Sequence, residues 1–129
     1  MIRVVAAIIE EKGRILICRR RAGGILGGKW EFPGGKMRPS ETPRQALARE
    51  LREELGVTPA IGDPLRIVRH RYEEIAESVQ ISFLATALTE PPRNLAFDRV
   101  VWARRGELPH YDFLAADRHL ISLLARREI

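Results

Sequence analysis

Between Gly35 and Val57 the chain reads GKMRPSETPRQALARELREELGV. The second half of this stretch is punctuated as one helix. Thr42 is a good N-cap, Pro43 suits the first helical position, and Gln45 completes a capping box with Thr42. Gly56 supplies the C-terminal stop. The spacing predicts a helix from Pro43 to Leu55. With Leu47 as phase zero and about 100° per residue, Leu51 and Leu55 fall at about 40° and 80° and define a buried stripe. Glu54 falls at about −20°, Glu50 at about −60° and Glu53 at about −120°, so three carboxylates line one flank of that stripe. Arg49 and Arg52 lie on the far side.

A solvated acidic face is the ordinary reading of such residues, and here it conflicts with two effects. Acid pairs at i,i+3 and i,i+4 repel one another on a helix. They also lie near the helix C-terminus, where the dipole disfavours negative charge, and partial burial sharpens both penalties. A bound cation reverses all three. Hard carboxylate oxygens suit magnesium or manganese better than zinc, and no His or Cys is placed to help. Pro33-Gly34-Gly35, read as a turn that stops the preceding extended piece, lets the backbone approach such a cation or a phosphate. A main-chain carbonyl is a natural further ligand there, and Lys36 is a natural phosphate contact.

Outward from the helix, the elements follow in order. Residues 2–9 are apolar and β-branched and read as a buried strand. A turn at Glu10 to Gly13 leads into a second strand at 14–19, making a hairpin. Residues 22–28, AGGILGG, read as a mobile loop, and Trp30 to Phe32 as a short extended piece. After Pro59 and Pro64 come extended segments at 65–72 and 78–88, a loop at 91–94, and a strand at 99–103. The last helix is expected over 115–127, with Leu120, Leu123 and Leu124 as its stripe. The order β-β-α-β-β-β-α describes a mixed α/β domain with a helix on each side of a sheet.

The 129 residues, 45% of them hydrophobic, suit one compact domain. No apolar run is long enough to span a membrane. MIRVVAAII has no small-residue cleavage site, and it reads as a strand rather than a signal peptide. The lone Cys18 excludes an internal disulfide, fits a reducing cytoplasm and reads as a buried small hydrophobe. The net charge of +5 is scattered in short Arg-rich runs without a basic tail, which favours steering of a small phosphorylated ligand over a stable nucleic-acid complex.

Written as G-x5-E-x7-R-E-L-x-E-E-x-G-V, residues 35–57 resemble the Nudix box at every defined position: Gly35, Glu41, Arg49, Glu50, Leu51, Glu53, Glu54, Gly56 and Val57. The flanking WEFPGGK and CRRR resemble the MutT-like branch of that family, the oxidised-nucleotide and nucleoside triphosphate pyrophosphohydrolases. The resemblance implies a single Nudix domain over 1–129, an α/β/α sandwich with a mixed sheet. It implies magnesium-dependent hydrolysis, with manganese as a substitute, of a nucleoside triphosphate to the monophosphate and pyrophosphate. Glu50, Glu53, Glu54 and the Gly34 carbonyl would be metal ligands, with Glu50 the general base. Arg49 would orient a catalytic carboxylate, and Glu41 would pair with Arg49 or reach the metal through water.

Two positions depart from the branch or leave its substrate open. Relatives often carry a Glu six residues before the residue matching Trp102; here that position is Ala96, and the neighbouring carboxylate, Asp98, is two residues out of register. The resemblance implies that Asp117 stands where relatives read the base, and an ionised Asp there could accept from the cytosine amino group or from guanine N1–H and N2–H. It reads equally as the N-cap of the last helix. Phe32 reads as a base-stacking or a core aromatic, and Arg20 as a phosphate contact or a solvated strand end. Trp30 and Trp102 read as core, and His70, His110 and His119 show no ligand spacing.

The expected substrate is therefore 8-oxo-dGTP or a cytosine nucleotide such as CTP or dCTP, handled by a monomer or homodimer; nucleotide-pool sanitation follows only from the first. The alternatives are a non-catalytic Nudix-fold binding or regulatory domain, and a hydrolase of dinucleoside polyphosphates or nucleotide sugars.

Overall fold

The computed structural model describes all 129 residues. Its strands are β1 (Ile2–Glu11), β2 (Arg14–Arg19), β3 (Trp30–Glu31), β4 (Gly34–Lys36), β5 (Pro59–Tyr72), β6 (Glu77–Leu88) and β7 (Arg99–Arg104). The helices are α1 (Pro43–Leu55) and α2 (Arg118–Ala125), with short 3-10 turns at 73–75, 105–110 and 115–117. β1 is the hub of one mixed sheet. It runs parallel to β6 and antiparallel to β2 and β4, while β5 edges β6 and both β3 and β7 edge β2.

Strand alternation in β1 explains the two cores. Val5, Ala7 and Ile9 point to one face, with Leu16, Leu84 and the α1 stripe Ala46, Leu47, Leu51 and Leu55. Ala6 and Ile8 point to the other, with Ile15, Ile17, Phe83 and the α2 residues Leu120, Ile121 and Leu124. A strand buried on both faces must be apolar throughout, which is why IRVVAAII carries no alternation of polar residues. A helix covers each face, the expected α/β/α sandwich with a mixed sheet.

α1 has the predicted boundaries, with Thr42 and Gln45 forming the reciprocal capping box and Gly56 the left-handed C-cap. Four readings change. Gly34-Gly35-Lys36 is a strand paired with Val4 to Ala6 of β1 rather than a turn. β5 begins at Pro59 and absorbs Pro64 through register shifts, which an edge strand tolerates. The last helix spans only Arg118–Ala125, preceded by a separate 3-10 turn. Trp30 is core, whereas Trp102 is only partly buried. Residues 22–28 fold back on themselves: the Gly27 N–H donates to the Gly24 carbonyl and the Gly28 N–H to the Arg20 carbonyl.

β4 is possible only because Gly34 lacks a side chain: a Cβ there would lie 2.0 Å from the Val5 carbonyl oxygen of the neighbouring strand. Gly34→Ala should therefore destabilise the fold by about 3 kcal/mol or more, whereas Gly24→Ala, with nothing within 4 Å of the added atom, should stay within about 0.5 kcal/mol. Urea unfolding of the two variants measures the difference.

Candidate active site

The site is built where α1 crosses β4. Burial of the Leu47, Leu51 and Leu55 stripe fixes the rotation of α1, so Glu50 and Glu54 come down onto the glycines. A Cβ on Gly35 would lie 2.4 Å from the Glu50 carboxyl carbon, so only glycine leaves room for that carboxylate. The Gly34 N–H donates to Glu54 Oε1 at 3.1 Å. Glu53, one helical step outward, is 54% exposed.

Arg49 was expected on the far side of the helix, and its long side chain does not stay there. The guanidinium wraps back and donates to both oxygens of Glu41 at 2.7 and 2.9 Å, to Glu50 Oε1 at 2.8 Å and to the Lys36 carbonyl at 3.0 Å. It also stands 3.5 Å from Glu53. One cation thus ties the loop before α1, the end of β4 and two helix acids together, with the fork geometry a lysine lacks. The Arg49 guanidinium and the Arg38 N–H hold the Glu41 carboxyl down at about 2. Glu41 and then Glu50 hold the Arg49 proton more tightly in return. Arg52 stays exposed on the outer face.

Beside these acids opens a cavity of about 410 Å³, the size of a small-molecule site. Gly34, Gly35, Lys36, Glu50 and Glu54 line one end, Leu26, Phe32, Ile81 and Leu114 the apolar walls, and Arg20, Glu31, Tyr72 and Asp117 the rest of the polar lining. Glu31 escaped sequence reading. Its signal was its place between Trp30 and Phe32, where strand alternation turns it away from the side on which its two buried neighbours lie. It accepts from Arg20 Nη1 at 3.1 and 3.4 Å. Arg20 is thus engaged at the cavity rather than solvated at a strand end, and its Nε is buried without a partner. Phe32 is both core and lining, packed against the rings of Phe83 and Phe113.

The cavity acids are held away from their ordinary ionisation. Burial, then the charges of Glu31 and Glu50, raises the Glu54 carboxyl to about 8, against the opposing Gly34 N–H. Burial raises Glu31 despite Arg20. Asp117, 3% exposed, is pushed well above the usual carboxylate range by burial and then by Glu31. Asp117 makes no capping hydrogen bond to α2, so the N-cap reading falls. The reading of it as an ionised acceptor changes too: the environment favours its protonated form, which donates as well as accepts.

Asp98 is committed elsewhere. Its carboxylate takes the Arg19 guanidinium, and its N–H donates to the Arg19 carbonyl. The loop around it instead closes the end of α1, with the Arg93 N–H on the Leu55 carbonyl at 2.8 Å and the Leu95 N–H on the Glu54 carbonyl at 3.0 Å. Neither Asp98 nor Glu53 lines the cavity.

No three Asp, Glu, His or Cys side chains converge into a ready-made cation cage. Glu50 is turned onto Arg49 and Glu54 onto the Gly34 N–H. The donor chemistry fits a hard divalent ion nonetheless. Oxygen donors alone gather here, a glycine backbone lies against them, and Glu54 is a buried carboxyl raised first by burial and then by the charges of Glu31 and Glu50.

Against known proteins, the NUDIX domain family matches residues 4–123. A putative 8-oxo-dGTP diphosphatase 2 of Mycobacterium tuberculosis is 36% identical over 95% of this chain and 87% of its own length. A CTP pyrophosphohydrolase of Escherichia coli K12 is 57% identical over 63 residues, a match spanning 49% of this chain and 47% of that relative. Among solved structures, the Escherichia coli ORF135 protein superposes with a TM-score of 0.80 at 35% identity, covering 98% of this chain and 93% of that one. A MutT protein from Methanosarcina mazei Go1 gives 0.85 at 26% identity, with 98% and 94% covered. The chain belongs to the Nudix family and is a MutT-like Nudix hydrolase. Members of this family generally use a divalent metal, usually magnesium.

Raised carboxyl values give the metal-free protein a definite pH dependence. Below about 4.5, Glu54 is protonated in both folded and unfolded chains; above it the unfolded chain releases a proton that the folded one keeps until about pH 8. Stability should therefore fall as pH rises through that window, with Glu31 and Asp117 acting in the same sense. In thermal unfolding with a chelator present, Glu54→Gln should flatten the slope by an amount on the order of a few kcal/mol across the window. Magnesium should raise the melting temperature more at pH 8 than at pH 6.

Proposed function

We propose that the chain is a magnesium-dependent pyrophosphohydrolase that cleaves a nucleoside or deoxynucleoside triphosphate to the monophosphate and pyrophosphate. One observation carries this reading: the acids of α1 meet the two glycines of β4 at the end of a cavity whose other walls suit a planar base. The names of the relatives, acting on CTP and on 8-oxo-dGTP, support a triphosphate of cytosine or of oxidised guanine.

The role inferred for each group joins its place in the structure to the family resemblance. Glu50, Glu53, Glu54 and the Gly34 carbonyl would hold the cation. When bound, it would neutralise phosphate oxygens and lower the pKa of the attacking water. Glu50 takes the proton as water adds to phosphorus and the anhydride bond breaks, the electron pair leaving with pyrophosphate. Arg49 keeps Glu50 oriented through its 2.8 Å contact. Glu41, paired with both guanidinium edges, fixes Arg49 in turn. Lys36, at the phosphate end, and Arg20, whose Nε lacks a partner, receive phosphate oxygens. Phe32 offers the base an apolar wall, and Asp117 with Glu31 reads its edge.

Pyrophosphate release from a panel of normal and oxidised nucleoside triphosphates with magnesium tests the proposal. Turnover concentrated on cytosine or oxidised-guanine nucleotides is expected; silence across the panel, with tight nucleotide binding, would make the domain a non-catalytic binder. Glu53→Gln should lower turnover by at least about a hundredfold and leave the melting temperature within a few degrees, because the side chain is half exposed and its ion pair is with Arg49 at 3.5 Å. Wild-type turnover in this variant at saturating magnesium would remove Glu53 from the metal set.

A further inference from the structure

We propose that Tyr72 selects the base: its hydroxyl accepts the Ala116 N–H, so holding the turn that carries Asp117, and turns its own proton toward the nucleobase in the cavity. This deepens the nucleotide reading above and rests on it.

Tyr72 is the last residue of β5, 5% exposed, and lines the cavity with Glu31, Phe32 and Asp117. Strand alternation puts it on the α2 side of the sheet, after Val68 and His70, and the His70 ring packs edge-on against it at 4.5 Å. The 3-10 turn at 115–117 is only three residues long. Asp117 is tied within the turn by its N–H to the Leu114 carbonyl, but the Ala116 N–H has no backbone partner and donates instead to the Tyr72 hydroxyl at 3.0 Å. A contact across 44 positions of sequence, from an edge strand to a short turn, thus sets where the Asp117 carboxyl sits.

A tyrosine hydroxyl has one proton to give as well as lone pairs to accept. Ala116 uses a lone pair, and no protein oxygen around Tyr72 takes the proton. Burial, opposed by the Ala116 N–H and reinforced by nearby Asp117, keeps the phenol protonated. The cavity end therefore presents two carboxyl groups and one committed donor. The matching ligand is a nucleobase whose edge places a ring or carbonyl acceptor beside N–H donors. A site built to make such a bond rejects a base that leaves it unmade, because a buried polar group then lacks a partner.

Tyr72→Phe removes one hydroxyl and keeps the ring packing. The experiment is calorimetric binding of the four α,β-methylene nucleoside triphosphates, with magnesium, to the wild-type protein and to this variant, alongside thermal unfolding. Wild-type protein is expected to prefer one base by tenfold or more, and Tyr72→Phe to bring the four affinities within about threefold of one another by weakening the preferred one alone. An unchanged order of preference, a wild-type protein without preference, or four affinities falling together would each overturn the proposal; the last would make Tyr72 structural. Hydrolysis is scored separately on cleavable triphosphates. Base-selective binding lost in Tyr72→Phe, with no turnover by the wild-type protein, would leave Tyr72 standing and defeat the hydrolase reading instead.

Discussion

The constraint on which the rest of the molecule depends is the approach of α1 to β4. Three leucines lock the helix rotation, Gly34 lets β4 lie against β1, and Gly35 leaves room for the Glu50 carboxylate. A methyl group at either glycine would fall inside 3 Å of its neighbour, so neither contact survives a side chain. Because β4 pairs with β1, and β1 divides both cores, the position of Glu50 and Glu54 is referenced to the whole sheet. A catalytic constellation needs that rigidity more than a structural surface does.

Charge is balanced unevenly across this contact. Arg49 satisfies Glu41 and Glu50 on the solvent side, where removing one partner would leave the other charge half-buried and unpaired. On the cavity side, burial raises the carboxyls of Glu54, Glu31 and Asp117, neighbouring acids add to the rise at Glu54 and Asp117, and Arg20 opposes it at Glu31. A negatively charged substrate could not enter such a place without countercharge. The same imbalance that costs stability as the pH rises therefore defines what must accompany the substrate.

Much of this was legible in the sequence where the determinants are local. Thr42, Pro43, Gln45 and Gly56 bound α1 through contacts within a turn of the chain, so its limits could be read. The leucine stripe then phased the acids correctly. Long-range contacts were harder. Phase angle located the Arg49 backbone but not its guanidinium, which reaches across to Glu41 and Lys36. Gly34-Gly35 reads as a turn until β1 lies beside it. Glu31 looks like an unremarkable strand residue until Arg20, Glu54 and Asp117 close around the same space. Asp117 carries a good N-cap identity, yet Tyr72 holds its turn in a conformation that aims elsewhere. For Asp98, spacing showed only that it stands two residues out of register, and it is the fold that shows Arg19 already holding it.

The central claim is that the acid flank of α1 is a divalent cation site, and manganese binding followed by the loss of the free-ion electron paramagnetic resonance signal tests it most directly. The wild-type protein should bind at least one manganese ion at sub-millimolar concentration, with magnesium competing, and Glu54→Gln should lose that binding while keeping its fold. Saturating protein that leaves the free-ion signal unchanged, or a Glu54→Gln variant that binds as the wild type does, would contradict the account.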